Sequence, residues 1–366
     1  MSVLRLGAAP ANRPADRHSE LADFFAAVEC AVARATASAG AVTRDYRIAG
    51  QRVRLRFAGQ GLVAAIAPAL AHLAQAGTAA EPDLTVALWD SAGTGIAMPH
   101  PLWSASAYTA RGDILGFDDP RYRVTFDVYS GVLTMVDMAR GRAVCWVEDA
   151  RRAPTDMQAK PLLHAFQWWL ASRNCQPLHA GLVGVPAGAA LLAGQSGAGK
   201  STTVLACLAA GLLYLSDDFC MVELGDSPQA HSLYSSGRLH PGDLETLPFL
   251  KPWVSNPDRL DSEKALFFLH EGFAAHLRAT LPLRVVLLPR VCDQPDTTWE
   301  PAPPAAAREA LTAGTLPLLP SAGAPAALYS IHRLVARLPC CYLNLGSDRQ
   351  QIPTAIRAIL NGTFVS

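Results

Sequence analysis

Gly194-Gln195-Ser196-Gly197-Ala198-Gly199-Lys200-Ser201 is the stretch on which the reading of this chain turns. It has the form G-x-x-x-x-G-K-[ST], that of a phosphate-binding loop. The glycines let the backbone curl so that several N–H groups face one concavity and can hold phosphate oxygens. Lys200 is expected to reach the β- and γ-phosphates and the Ser201 hydroxyl to ligate Mg²⁺. The helix that opens here adds the positive end of its dipole. The apolar run over residues 189–193 predicts a buried strand before the loop, and residues 202–210 predict a short helix stopped by Gly211. Nucleotide contact is expected from Gly194, Gln195, Ser196, Gly197, Ala198, Gly199, Lys200, Ser201 and Thr202.

On the N-terminal side, residues 182–185 and 189–193 flank Pro186-Ala187-Gly188 as strand, turn and strand. A tight hairpin makes the loop-bearing strand antiparallel to its neighbour, so the nucleotide-binding sheet should be mixed. On the C-terminal side, Leu212-Leu213-Tyr214-Leu215-Ser216 runs into Asp217-Asp218. An apolar strand ending in two carboxylates suits a phosphate loop. One carboxylate can hold Mg²⁺, directly or through water, and the other can accept a proton from an attacking hydroxyl. Repulsion between adjacent charges raises the proton affinity of one of them. His179 opens the hairpin, and its ring is expected to approach the acid pair and tune a carboxylate or assist proton movement.

The chain has 366 residues, half of them hydrophobic and 17% charged, with zero net charge. One large or two ordinary domains with a sizeable core are expected. No Lys/Arg-rich run is present, which argues against a nucleic-acid-directed enzyme. The 8 cysteines form no C-x-x-C pair and no zinc-type spacing, and read as buried free thiols of a reducing compartment. No apolar core of a signal peptide and no membrane-length apolar run occur, so a cytoplasmic protein is expected. Residues 1–18 look disordered. Residues 19–150 read as an α+β domain: a helix over 21–36, a hairpin over 46–57, a second helix over 62–76, a strand over 84–89 and an antiparallel meander over 124–147. Residues 151–366 read as the catalytic domain, entered by one amphipathic helix over 154–172. A proline-rich excursion over 293–325 precedes a closing helix, strand and helix.

Three runs together resemble HPr kinase/phosphorylase and its relatives: His179-Ala180-Gly181-Leu182-Val183-Gly184, Leu191 through Thr202, and Gly211-Leu212-Leu213-Tyr214-Leu215-Ser216-Asp217-Asp218. Leu338-Pro339-Cys340-Cys341-Tyr342-Leu343-Asn344-Leu345-Gly346 and Glu263-Lys264-Ala265-Leu266 look like the HPr-kinase-related serine kinases of lasso-peptide and other peptide-modification clusters. The likeness covers roughly residues 175–360. It implies an α/β fold with a mixed sheet of the HPr kinase/phosphoenolpyruvate carboxykinase type, with the N-terminal α+β domain beside it. It implies Mg²⁺ and ATP as donor, a serine of a peptide or protein as acceptor, and a possible homo-oligomer. By residue, it implies Asp217 as general base assisted by His179, Asp218 and Ser201 on the metal, and Lys200 on the phosphates. The bacterial regulatory kinases carry a Glu-x-Arg-Gly-type signature. Here the nearest piece is Ser235-Ser236-Gly237-Arg238-Leu239, which keeps Arg238 as a phosphate-facing charge but lacks the glutamate. That departure leaves the reverse reaction and the regulatory carrier protein outside the expectation. Arg259, Lys264, Arg284 and Arg290 are further basic candidates, while Trp168-Trp169 and Phe267-Phe268 read as core. Two other functions fit the same loop: a sugar or metabolite kinase, and a nucleotide-dependent binding module without turnover, against which the intact acid pair argues.

Overall fold

The computed structural model describes residues 14–77, 80–109, 112–128, 130–320 and 323–362. Residues 1–13 of the expected unstructured terminus lie outside these, and a helix, Pro14–Ala39, begins inside the remainder of that segment. Its Leu21, Phe24, Phe25, Val28 and Val32 recur at helical spacing and pack on Trp89, Leu133 and Met135 of the first sheet. That sheet has seven strands: β1 (Ala41–Ile48), β2 (Gln51–Ala58), β3 (Ala74–Gln75), β4 (Leu84–Asp90), β5 (Tyr122–Asp127), β6 (Val132–Asp137) and β7 (Arg142–Val147), in the order β3-β1-β2-β4-β7-β6-β5. The expected hairpin is β1–β2, and the expected meander is β5–β6–β7.

The second sheet is built from β8 (Cys175–His179), β9 (Gly181–Val185), β10 (Gly188–Leu192), β11 (Leu213–Ser216), β12 (Phe219–Glu223) and β13 (Gln229–Ser232), with β14 (Ser236–Leu239) and β15 (Ala265–Phe268) as a separate pair. It is completed by β16 (Thr280–Val291), β17 (Thr298–Pro301) and β18 (Cys340–Leu345). β10 runs antiparallel to β9 and parallel to β16, so the sheet is mixed, as the hairpin predicts. The long β16 pairs with β13 through its first residues and with β10 and β18 beyond them. Side chains alternate along β10. Ala190 and Leu192 face the helices Lys200–Ala209 and Gln351–Leu360, while Ala189 and Leu191 face the helices Pro304–Thr315 and Ala324–Val335.

The amphipathic helix expected over 154–172 is two helices, Thr155–Ala159 and Leu163–Ala171. Pro161 lacks an N–H and disfavours helix at Lys160, and Leu162 turns left-handed at φ 59°. The region between residues 225 and 282, for which the sequence predicts no element, holds β13, β14 and β15. A single apolar core spans the expected boundary near residue 150: Phe166, Trp169 and Leu170 pack with Leu55, Val86 and Leu88 on one side and with Phe219, Met221 and Tyr234 on the other. One polar link crosses the same seam, from the Ser235 N–H to the Ala69 carbonyl (2.8 Å), and beside it the Tyr234 hydroxyl donates to the Pro161 carbonyl (2.8 Å) and the Ser236 hydroxyl to that of Ala159 (2.6 Å). No helix of the described residues is long and apolar enough to cross a membrane.

Candidate active site

β10 delivers the chain into the glycine-rich loop, and the helix Lys200–Ala209 leaves it. Gly197 and Gly199 both sit at φ 87°, a conformation that glycine adopts without a steric penalty. Gln195, Ser196 and Gly197 are exposed, so the loop opens to solvent, while Lys200 is only 7% exposed. The Lys200 ammonium donates to the carbonyls of Gly194 (2.7 Å) and Gln195 (3.1 Å), across the base of the loop. Burial depresses its pKa, and the charges of Asp218 and Asp217 oppose that shift. Lys264 lies near enough for its own charge to work in the same direction as burial.

The acid pair forms the turn between β11 and β12. The two aspartates meet different partners, though both touch Arg238. Asp217 is 4% exposed. Its Oδ2 accepts the Arg238 N–H at 3.0 Å, and its Oδ1 is buried with no hydrogen-bond partner. The Ser201 hydroxyl lies close enough to favour the charged form without making a well-formed hydrogen bond. Burial, with the Asp218 charge adding to it, raises the Asp217 pKa against the Arg238 N–H and Ser201.

Asp218 has the opposite surroundings, with a quarter of its side chain exposed. It meets His179 Nε2 at 2.8 Å, Arg238 Nη2 at 3.0 Å and Lys160 Nζ at 3.6 Å. Burial works to raise its pKa, but Lys160, the His179 hydrogen bond and Arg238 outweigh it and hold the carboxyl far below its ordinary range. His179 ends β8 opposite Phe219 in the β12 register. Its Nδ1 lies 3.1 Å from the Gly314 carbonyl, and its N–H donates to the Thr315 hydroxyl at 3.2 Å.

The structure therefore corrects one implied pairing: His179 contacts Asp218, not Asp217. Asp217, rather than Asp218, lies beside Ser201. Arg238, expected to face the phosphates, has its guanidinium held by Asp218 (3.0 Å) and by Asp156 (2.6 Å). Arg259 donates to the Ala153 carbonyl at 3.5 Å, Arg284 to that of Ala187 at 3.1 Å, and Arg290 stacks 3.0 Å from the Tyr342 ring centre. None of these three contacts involves the acid pair. Trp169 and Phe267 are core residues, as expected. Asp156, Lys160, Gly314 and Thr315 were not anticipated. Lys160-Pro161 carried a local signal, a helix break, but not what it would face. Gly314 and Thr315 come from the proline-rich excursion, whose helix Pro304–Thr315 ends against His179.

The residues fit a magnesium–nucleotide site. Among the described residues no group of three or more His, Cys, Asp or Glu side chains could hold a metal by itself. Mg²⁺ in phosphate-transfer sites needs only one or two protein oxygens, because phosphates and water supply the rest. The buried, unpartnered Asp217 Oδ1 and the neighbouring Ser201 hydroxyl are such a pair.

No protein-family model and no curated protein matches the chain. Among solved structures, the HPr(Ser) kinase/phosphatase from Coxiella burnetii aligns at 10% identity and a TM-score of 0.29, covering 50% of this chain and 95% of that one. At that score the likeness carries no argument, and the functional reading rests on the geometry above.

Proposed function

We propose that this chain is an ATP-dependent kinase that transfers the γ-phosphoryl group to a serine hydroxyl of a peptide or protein. One observation carries the reading. The strand next but one to the loop-bearing strand ends in Asp217, whose Oδ1 is buried without a partner and whose charged form Ser201 favours, and in Asp218, which His179 holds at 2.8 Å. The loop N–H groups and the helix N-terminus suit phosphate, and Lys200 supplies a buried positive charge there. Asp217 and Ser201 would hold Mg²⁺, which would supply charge neutralisation for the phosphates. Asp218 faces the acceptor, orients its hydroxyl and takes the proton as the new P–O bond forms. Its depressed pKa keeps it ionised, with a lowered proton affinity. A weak base suffices, since phosphoryl transfer depends mostly on positioning and charge stabilisation. His179, fixed by Gly314 and Thr315, holds the Asp218 carboxylate in place.

The test compares Asp218→Asn with Asp217→Asn, using γ-labelled ATP and serine peptides. Asp218→Asn should lower transfer by ~10²–10⁴-fold, the usual range for losing a general base, with nucleotide binding retained. Asp217→Asn should instead raise the Mg²⁺ concentration needed for half-maximal rate. Undiminished transfer in Asp218→Asn removes it as base. Failure of the unaltered protein to label any acceptor overturns the kinase reading.

A further inference from the structure

A cavity of about 490 Å³ lies between the outer strands of the first sheet and the broken helix that carries Lys160. Its walls include Thr125 and Ser130 on one side, Asp156, Lys160 and His164 on another, and Phe219. Three of these residues adjoin the proposed catalytic cluster. Asp156 binds Arg238, Lys160 lies 3.6 Å from Asp218, and Phe219 follows Asp218 in the chain with its ring 5.3 Å from that of His179. We propose that this cavity is the acceptor site, and that it takes a short, extended, serine-bearing peptide segment. The inference rests on the kinase reading and adds to it the position of the acceptor and its chemical class.

The lining argues for the class. Its charged groups are already matched: Asp156 with Lys160 and Arg238, and Asp127 with the Ser130 N–H and hydroxyl. Asp156 and Lys160 offer an ionic ligand no uncompensated charge, and the Asp127 carboxylate, held by neutral donors, would repel an anionic one. Thr125 pairs with His164 at 3.2 Å, and burial lowers the pKa of that ring. Hydroxyls and imidazole offer both donors and acceptors, which is what a peptide backbone needs. Met157, Leu163 and Leu318 provide an apolar wall for flanking side chains, which a monosaccharide could not cover. The volume falls within the ~300–1,000 Å³ of sites that enclose drug-sized ligands, large enough for a few residues and too small for a folded protein surface.

In the transfer itself, the seryl oxygen bonds to the γ-phosphorus. The bond from that phosphorus to the β,γ-bridging oxygen breaks, its electron pair leaves with ADP, and the hydroxyl proton passes to Asp218.

The experiment uses the full chain with Mg²⁺ and γ-labelled ATP. Acceptors are a pentapeptide library with one serine per peptide and, separately, glucose and ribose. Two variants fill the cavity: Ser130→Trp at its lip, and Leu318→Trp, whose side chain is 42% exposed and tolerates enlargement. The expected result is label in the peptides, with peptide KM raised tenfold or more in both variants and kcat within threefold of the unaltered protein. Peptide labelling with unchanged KM in both variants overturns the cavity while the kinase reading stands. Labelling of the sugars and not the peptides overturns the acceptor class. No label in any acceptor removes the kinase reading and this inference with it.

Discussion

Asp217 and Asp218 are chemically identical neighbours with opposite environments. Burial raises the pKa of one, while Lys160, His179 and Arg238 more than offset burial at the other. Lys160 is the largest of the influences lowering the Asp218 pKa, and it testifies to its role through pH. A carboxylate acting as base loses activity as pH falls through its pKa. In Lys160→Met the Asp218 pKa should rise, so the acid limb of the kcat/KM profile should move to higher pH, with a smaller change at the plateau. An acid limb unmoved in Lys160→Met, over pH values at which near-UV circular dichroism shows both proteins folded, would mean that Lys160 does not act through Asp218. The acid pair and the histidine were legible in the sequence because their spacing from Lys200 is local. Their partners were not, because which aspartate meets His179 depends on the direction each side chain takes as β11 ends. Lys160 and Gly314 arrive from distant parts of the chain.

At the scale of elements, the loop depends on two left-handed glycines with different surroundings. A Cβ at Gly197 would meet nothing within 4 Å, whereas one at Gly199 would come within 2.8 Å of the Leu345 side chain. Gly197→Ala should therefore cost about 1–2 kcal/mol, the steric penalty of a left-handed alanine. Gly199→Ala should cost more, because Leu345 on β18 must also shift. Urea denaturation of the two variants checks the order, and equal losses would mean that Leu345 accommodates the methyl freely. The strand, loop and helix here were legible because an apolar run, glycines and helical periodicity follow one another within a short stretch. The mixed sheet was legible from the length of the β9–β10 turn. The β14–β15 pair was not, since its strands are short, separated by a long excursion and held by core contacts with the helix after the loop and the segment around Leu250. The break at Pro161 was signalled by the proline, yet the apolar periodicity of residues 162–170 masked it.

Across the whole molecule, the two sheets are joined through a buried seam, and the β14 strand that carries Arg238 is anchored there by Ser235 and Ser236. His72 is part of that seam, with Nε2 2.6 Å from the Ser232 hydroxyl. Burial, reinforced by the charge of His270, pulls its pKa from 6.5 down to about 3. The sign follows from proton counting. Above pH 6.5 the ring is neutral in both folded and unfolded chains and contributes no pH dependence. Below 6.5 the unfolded chain takes up a proton that the folded one resists, so stability falls as pH drops toward 3, by up to about 1.4 kcal/mol per pH unit. His164 and His231, whose pKa values are also depressed by burial, act in the same direction, so the contribution of His72 must be isolated by difference. The urea midpoint of the unaltered protein should decline between pH 7.5 and 5. His72→Gln, which keeps a polar partner for Ser232 but cannot titrate, should decline less steeply over that interval. Identical slopes would show that the seam opens to water before His72 is protonated, and that its buried imidazole does not set the acid limit of the fold.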